Sequence, residues 1–139
     1  MSILCFDTSA IIKLIREERE SGALRLWLAE ASRRAAIPVC SALALTEVPR
    51  ALRRLVPGAA LPAFVAVLDR FNLRVVDSEI LMEAGAYMDP LLRSLDAIHL
   101  ATARSLFQSA ADDFEGLLTY DSRLGSAARA LGMRVIVPQ

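Results

Sequence analysis

Two short apolar runs in this chain stop at an aspartate. Ile3, Leu4, Cys5 and Phe6 run without a polar break into Asp7, Thr8 and Ser9, and Gly116, Leu117, Leu118 and Thr119 run into Tyr120, Asp121 and Ser122. A run this short with no alternating polar face predicts a strand covered on both sides, as in the middle of a parallel sheet. Such a strand needs a layer of helices on each face. Asp7 and Asp121 then fall at strand carboxyl ends, where open α/β sheets place their ligands.

The rest of the chain supplies those layers. Residues 10–15 continue from the first strand as a helix, capped by Thr8 or Ser9. The charged residues 16–20 read as a solvated helix end or turn. Residues 21–31 form a helix with Leu24, Trp27 and Leu28 on one stripe. Residues 35–40 are a weaker strand in which Pro38 suits an edge or a strand end. Ser41 opens a helical stretch over residues 42–56. Pro49 lies inside it and frees the carbonyl of Leu45, which predicts a kink or restart close to Glu47. Pro57 and Gly58 break the helix without a change in composition.

A helix over residues 61–71 follows, then a strand over 73–77. Ser78 caps a helix to about Met88, which Asp89 and Pro90 end. Ser94 caps the next helix, which runs to about Phe107. Residues 108–114 are a polar loop, with Asp112, Asp113 and Glu115 expected in solvent. A helix over 122–131 closes at Gly132, and residues 133–137 make the last strand. Strands interleaved with helices predict a three-layer α/β/α fold around a central, mainly parallel sheet. One domain is expected over residues 1–139.

Composition narrows the function classes. Hydrophobic residues make up 55% of the 139, which excludes a disordered chain. Sixteen basic and 16 acidic residues cancel, so no global field draws in nucleic acid. Every basic residue except Lys13 is an arginine, whose planar guanidinium suits bidentate phosphate contacts. Cys5 and Cys40 lie in apolar runs, lack zinc-site spacing and read as buried free thiols. No basic-then-apolar leader or membrane-length apolar run is visible, so a soluble, cytoplasmic protein is expected.

Four acids stand out by position. Asp7 and Asp121 end strands. Asp96 sits in the first turn of an otherwise apolar helix, where the macrodipole favours a negative charge. Glu47 lies among Leu43, Leu45 and Val48. On a regular helix Arg54 projects about 20° and Arg50 about 60° from Glu47, so an arginine row with Arg53 could share its face. Each acid alone has an ordinary structural explanation. Together in one cleft they would repel unless a cation neutralised them. Carboxylates without a His or Cys pair select Mg²⁺ or Mn²⁺. A cation held in that way can polarise a phosphoryl oxygen and lower the pKa of a water, which is nuclease chemistry.

The segments that carry these acids also occur in a familiar order. They are Asp7-Thr8-Ser9-Ala10, then Thr46-Glu47-Val48 with Arg50, Arg53 and Arg54, then Leu95-Asp96-Ala97-Ile98-His99-Leu100-Ala101-Thr102-Ala103, then Thr119-Tyr120-Asp121-Ser122-Arg123-Leu124. Over essentially its full length the chain resembles PIN-domain ribonucleases, and among them the VapC toxins of bacterial toxin–antitoxin pairs. That resemblance implies a Mg²⁺- or Mn²⁺-dependent endoribonuclease with Asp7, Glu47, Asp96 and Asp121 as its catalytic, metal-binding acids. It also implies a small VapB-like antitoxin as partner, an RNA substrate and a homodimer. Ser9 and Thr119 match polar positions lining the site, where they either orient a carboxylate or water or serve as a cap and a strand edge. Arg50, Arg53 and Arg54 are candidate RNA contacts, with solvated or antitoxin-facing roles as the alternative.

His99 is the only histidine and follows Asp96 by one helical turn. It could act as a general base. Its apolar surroundings favour a core or supporting role. Two other functions share parts of the pattern. An α/β phosphatase also puts Asp at strand ends, but the position two after Asp7, where a second Asp would be expected, is Ser9. A non-catalytic PIN-like module that grips RNA or protein would fold in the same way.

Overall fold

The computed structural model describes residues 1–55 and 61–139. Five strands form one sheet: β1 (Ser2–Phe6), β2 (Ala36–Ser41), β3 (Asn72–Arg74), β4 (Phe114–Leu118) and β5 (Val135–Ile136), in the order β3-β2-β1-β4-β5. Every neighbouring pair is parallel. The helices among the described residues are α1 (Thr8–Ile15), α2 (Ser21–Arg33), α3 (Ala44–Leu55), α4 (Leu61–Leu68), α5 (Ser78–Ala86), α6 (Ser94–Ser109) and α7 (Ser122–Ala130).

The unbroken apolar run of β1 has the physical reason expected of it. Successive side chains point to opposite faces. Leu4 and Phe6 join one core with Leu118 and Cys40, under α1, α2, α3 and α4. Cys5 joins the other with Leu117 and Val39, under α6 and α7. Each fully buried Leu or Phe contributes about 1.5–3 kcal/mol, so β1 is anchored from both sides. Phe6 also meets Phe71 edge-on at 4.9 Å between ring centroids. Cys5 and Cys40 are buried free thiols, and burial pushes the Cys40 thiol up to about 12. The helix α5 has no buried residue and packs on the outside of α6.

Strand order places the site. The chain lays β2 and then β3 to one side of β1, then crosses to lay β4 and β5 on the other. The order reverses between β1 and β4, and a crevice opens outside the carboxyl ends of strands at such a switch. Asp7 follows β1 and Asp121 lies shortly after β4.

Several local expectations are corrected. Asp7, not Thr8 or Ser9, caps α1, and its Oδ1 accepts from the Ala10 N–H at 3.1 Å. Asp77, not Ser78, caps α5 in the same way, accepting from the Ile80 N–H. Arg93 precedes α6 without a side-chain cap, and Ser94 is already helical. An extended residue at the strand end presents its carboxylate to the first turn, so the acid captures the orphan N–H before the next hydroxyl can.

Ser41 completes β2 instead of opening α3, and its Oγ accepts from the Leu43 N–H. The helix α3 runs through Pro49 without a restart. The predicted end of that helix at Val56 and the break at Pro57 and Gly58 lie outside the described residues. Pro38 sits inside β2, but β3 pairs only from Val39 onward, so β2 is locally an edge at that residue. The strands β3 and β5 are shorter than expected, and β4 begins earlier, at Phe114. Glu115 is not solvated: its side chain is 14% exposed and pairs with Arg34. The helix α7 ends as predicted, with Gly132 at φ 85° and the Met133 N–H donating back to the Ala128 carbonyl.

Candidate active site

Asp7 is 4% exposed and is held on both oxygens. Oδ1 accepts from Ser9 Oγ at 2.7 Å as well as from the Ala10 N–H, and Oδ2 accepts from Thr119 Oγ1 at 2.7 Å. The two hydroxyls are tied down in turn. Ser9 Oγ accepts from the Tyr120 N–H and Thr119 Oγ1 from the Asp121 N–H, each at 3.0 Å. These bonds stitch the end of β1 to the end of β4. Burial still wins: it pushes the Asp7 carboxyl above the ordinary carboxylate value, against the pull of the Thr119 and Ser9 donors.

Asp121 caps α7, with Oδ1 accepting from the Arg123 and Leu124 N–H groups at 2.9 and 3.2 Å. Glu47 projects from the first turn of α3. Its Oε1 accepts from Thr8 Oγ1 at 2.8 Å and from His99 Nε2. Burial raises the Glu47 carboxyl, but the His99 and Thr8 contacts together outweigh it and the net direction is down. His99 therefore has a supporting place: it is 3% exposed and directed at Glu47.

Asp96 differs from the other three. It is half-buried in the first turn of α6, and no protein donor among the described residues bonds its carboxylate. Burial raises its pKa, and then the charges of Asp121, Asp7 and Glu47 raise it further. Asp96 is thus within electrostatic reach of each of the other three acids. The four are not packed into a finished ligand set, since among the described residues no three His, Cys, Asp or Glu side chains converge on one ion position. Their chemistry fits a hard divalent cation all the same. Asp96 lacks a donor and carries mutual repulsion that a cation would relieve.

A cleft of about 410 Å³ is lined by Glu47, Arg93, Ser94, Leu95, Asp96, Asp121 and Arg123, whereas buried Asp7 is not among its lining residues. A second groove, of about 270 Å³, is lined by Thr8, Thr46, Glu47, Arg50, Ala51, Arg54 and Leu95. Glu47 and Leu95 belong to both, so the two run together. Arg50 and Arg54 are on this path, as their helical projection from Glu47 predicts, and Arg53 is not. The side-chain partners of Glu47 are His99 and Thr8, not the arginine row. Arg93 and Arg123 also line the acidic cleft, and neither is among the arginines expected from the sequence to contact RNA. Arg123 could have been found from its place two residues after Asp121. Thr8 was missed as a partner of Glu47, because 39 residues separate them.

A PIN-domain family model matches residues 4–130. Ribonuclease VapC35 of Mycobacterium tuberculosis is 44% identical over 138 residues, covering 98% of this chain and 97% of its own. Ribonuclease VapC46 of the same organism is 45% identical over 139 residues, covering 99% of each chain. A solved toxin–antitoxin complex from Klebsiella pneumoniae superposes with a TM-score of 0.67 at 22% identity, covering 98% of both chains, and shares the fold. The chain belongs to the PIN-domain family, among its VapC ribonucleases.

Proposed function

We propose that this protein is the toxin half of a VapBC-type pair, a metal-dependent endoribonuclease that hydrolyses RNA phosphodiesters in the cleft beyond β1 and β4. Asp7, Glu47, Asp96 and Asp121 would hold Mg²⁺ or Mn²⁺. The observation that carries this reading is Asp96: a half-buried carboxylate with no protein donor among the described residues, facing a cleft that Glu47 and Asp121 also line and within reach of the charge of Asp7. When bound, the cation supplies neutralising charge and activates water for attack at phosphorus.

The chain's own residues prepare that site. Ser9 and Thr119 fix Asp7 at the seam between the strands. Thr8 and His99 fix Glu47. The cap of α7 holds Asp121 by one oxygen and leaves the other outside those bonds. Arg50 and Arg54 on one side, with Arg93 and Arg123 on the other, offer guanidinium groups to the phosphates flanking the cut. Arg53 would touch RNA only beyond this groove.

A VapB-like antitoxin and a second copy of the chain are the proposed protein partners. Leu45 and Leu55 of α3 and Leu61 and Val65 of α4 are exposed apolar side chains that such partners would cover. Residues 1–139 are taken to act as one domain in the cytoplasm. Among the described residues no helix is long and apolar enough to cross a membrane.

The test is cleavage of total cellular RNA with Mg²⁺ or Mn²⁺, beside chelator and Asp96→Asn controls. Discrete fragments that vanish in both controls are expected. No cleavage by folded, antitoxin-free protein across several RNA pools would overturn the reading in favour of a non-catalytic module.

A further inference from the structure

His99 is buried at 3% exposure near the middle of α6, yet its Nε2 points away from the core packing to polar partners only. Nε2 meets Glu47 Oε1 and lies 3.2 Å from Thr8 Oγ1, while Nδ1 is buried without a partner. A carboxylate oxygen only accepts, so Nε2 carries a proton and donates it. Thr8 Oγ1 donates to the same oxygen at 2.8 Å. Two donors from α1 and α6 thus converge on Oε1 of a residue on α3, and neither reaches Oε2. Fixing one oxygen by two donors leaves the carboxylate plane little freedom to rotate, and Glu47 lines both the acidic cleft and the arginine groove.

We propose that His99 and Thr8 are positioning residues that clamp Glu47 by Oε1, so that it offers a divalent cation one oxygen and not two. The proposal rests on the reading of the cleft as a metal site. Its chemical consequence is ion selection. A carboxylate restricted to one oxygen suits small octahedral ions such as Mg²⁺ and Mn²⁺, whereas Ca²⁺ readily takes both oxygens of a carboxylate at longer distances. Releasing the clamp lets Glu47 turn and engage with either or both oxygens. Affinity for Mn²⁺ then falls and the preference for Mn²⁺ over Ca²⁺ narrows. A histidine that served only to fill the core would change stability and leave that preference where it was.

The experiment is titration of the full chain with Mn²⁺ alone, followed by the electron paramagnetic signal of the free ion, with Ca²⁺ as competitor. No RNA is needed. His99→Leu is expected to weaken Mn²⁺ binding about 10–100-fold, the usual effect of removing a group that orients a ligand, and to narrow the Mn²⁺/Ca²⁺ ratio. His99→Gln, which can return an N–H near Nε2, should recover most of both. Thr8→Val should move both in the same direction by less, and Thr8→Ser should restore them. Folding is checked by circular dichroism. If His99→Leu does not fold, Thr8→Val decides alone. Wild-type affinity and ion preference in either folded variant would overturn the clamp, as would a His99→Gln protein as impaired as His99→Leu. A wild-type protein that binds no Mn²⁺ would instead remove the metal-site reading itself, and the clamp with it.

Discussion

Thr119→Val removes one hydroxyl from the seam between β1 and β4 and leaves nearly the same shape. Thr119 is 1% exposed, so water cannot replace what is lost. Its Oγ1 donates to Asp7 Oδ2 at 2.7 Å and accepts from the Asp121 N–H at 3.0 Å. A bond to a charged group contributes about 1.5–3 kcal/mol, and an orphaned donor adds roughly another 1 kcal/mol or more. Asp7 keeps the Ser9 and Ala10 donors on Oδ1, which limits the damage. The expected loss is about 3 kcal/mol, or on the order of 10 °C in Tm for a chain of this size.

The loss depends on pH with a definite sign. Burial holds the folded-state pKa of Asp7 above its unfolded value of 3.8. Ionised Asp7 therefore weighs against the folded state. That handicap is absent below the unfolded pKa, where both states are protonated, and it grows as pH rises through the folded pKa. Losing the Thr119 donor raises the folded pKa further. The gap in Tm between wild type and Thr119→Val should therefore be wider above the folded-state pKa of Asp7 than below it, and narrow as pH falls through it. Thermal unfolding followed by circular dichroism in chelator measures this, with Thr119→Ser as the variant that restores the bond. A gap that stays below about 2 °C at every pH, or one that widens in acid, would show that the Thr119 hydroxyl does not support ionised Asp7.

Two further outcomes follow from other parts of the molecule. A Cβ added at Gly116 would stand 2.8 Å from Ile136 Cδ1 and 2.9 Å from the Arg134 carbonyl oxygen, so Gly116→Ala should cost about 1–3 kcal/mol by overpacking β4 against β5, read as a lower denaturation midpoint. In an Asp96→Asn background that cannot cut, Arg50→Ala with Arg54→Ala, and separately Arg93→Ala with Arg123→Ala, should each weaken single-stranded RNA binding and flatten its salt dependence by roughly 0.7 for each phosphate no longer neutralised, whereas Arg53→Ala should change the slope little; fluorescence anisotropy across a salt series measures it.

The layered fold was legible because its signals are local. An unbroken apolar run such as residues 3–6 is stable only when covered twice, and interleaved helical periodicity says what covers it. The acids at the ends of β1 and β4 were legible for the same reason. What stayed hidden depends on meetings between distant segments. Glu47 and His99 are 52 residues apart, and no local pattern shows that one reaches the other. Arg34 draws Glu115 out of solvent across 81 residues. The caps lie one or two residues earlier than the sequence suggests at Asp7 and one earlier at Asp77, because an Asp directly before a Ser or Thr leaves several side chains able to reach the same N–H groups. Strand order, which puts Asp7 and Asp121 across one switch point, is a property of the whole chain.

The proposed nuclease chemistry requires that the four acids share one divalent cation site. Anomalous diffraction from a crystal of the full chain equilibrated with Mn²⁺ tests it most directly. A single peak, or two close peaks, bounded by Asp7, Glu47, Asp96 and Asp121 is expected, absent from Asp96→Asn crystals. Mn²⁺ bound only elsewhere, with the cleft empty at saturating ion, would contradict it.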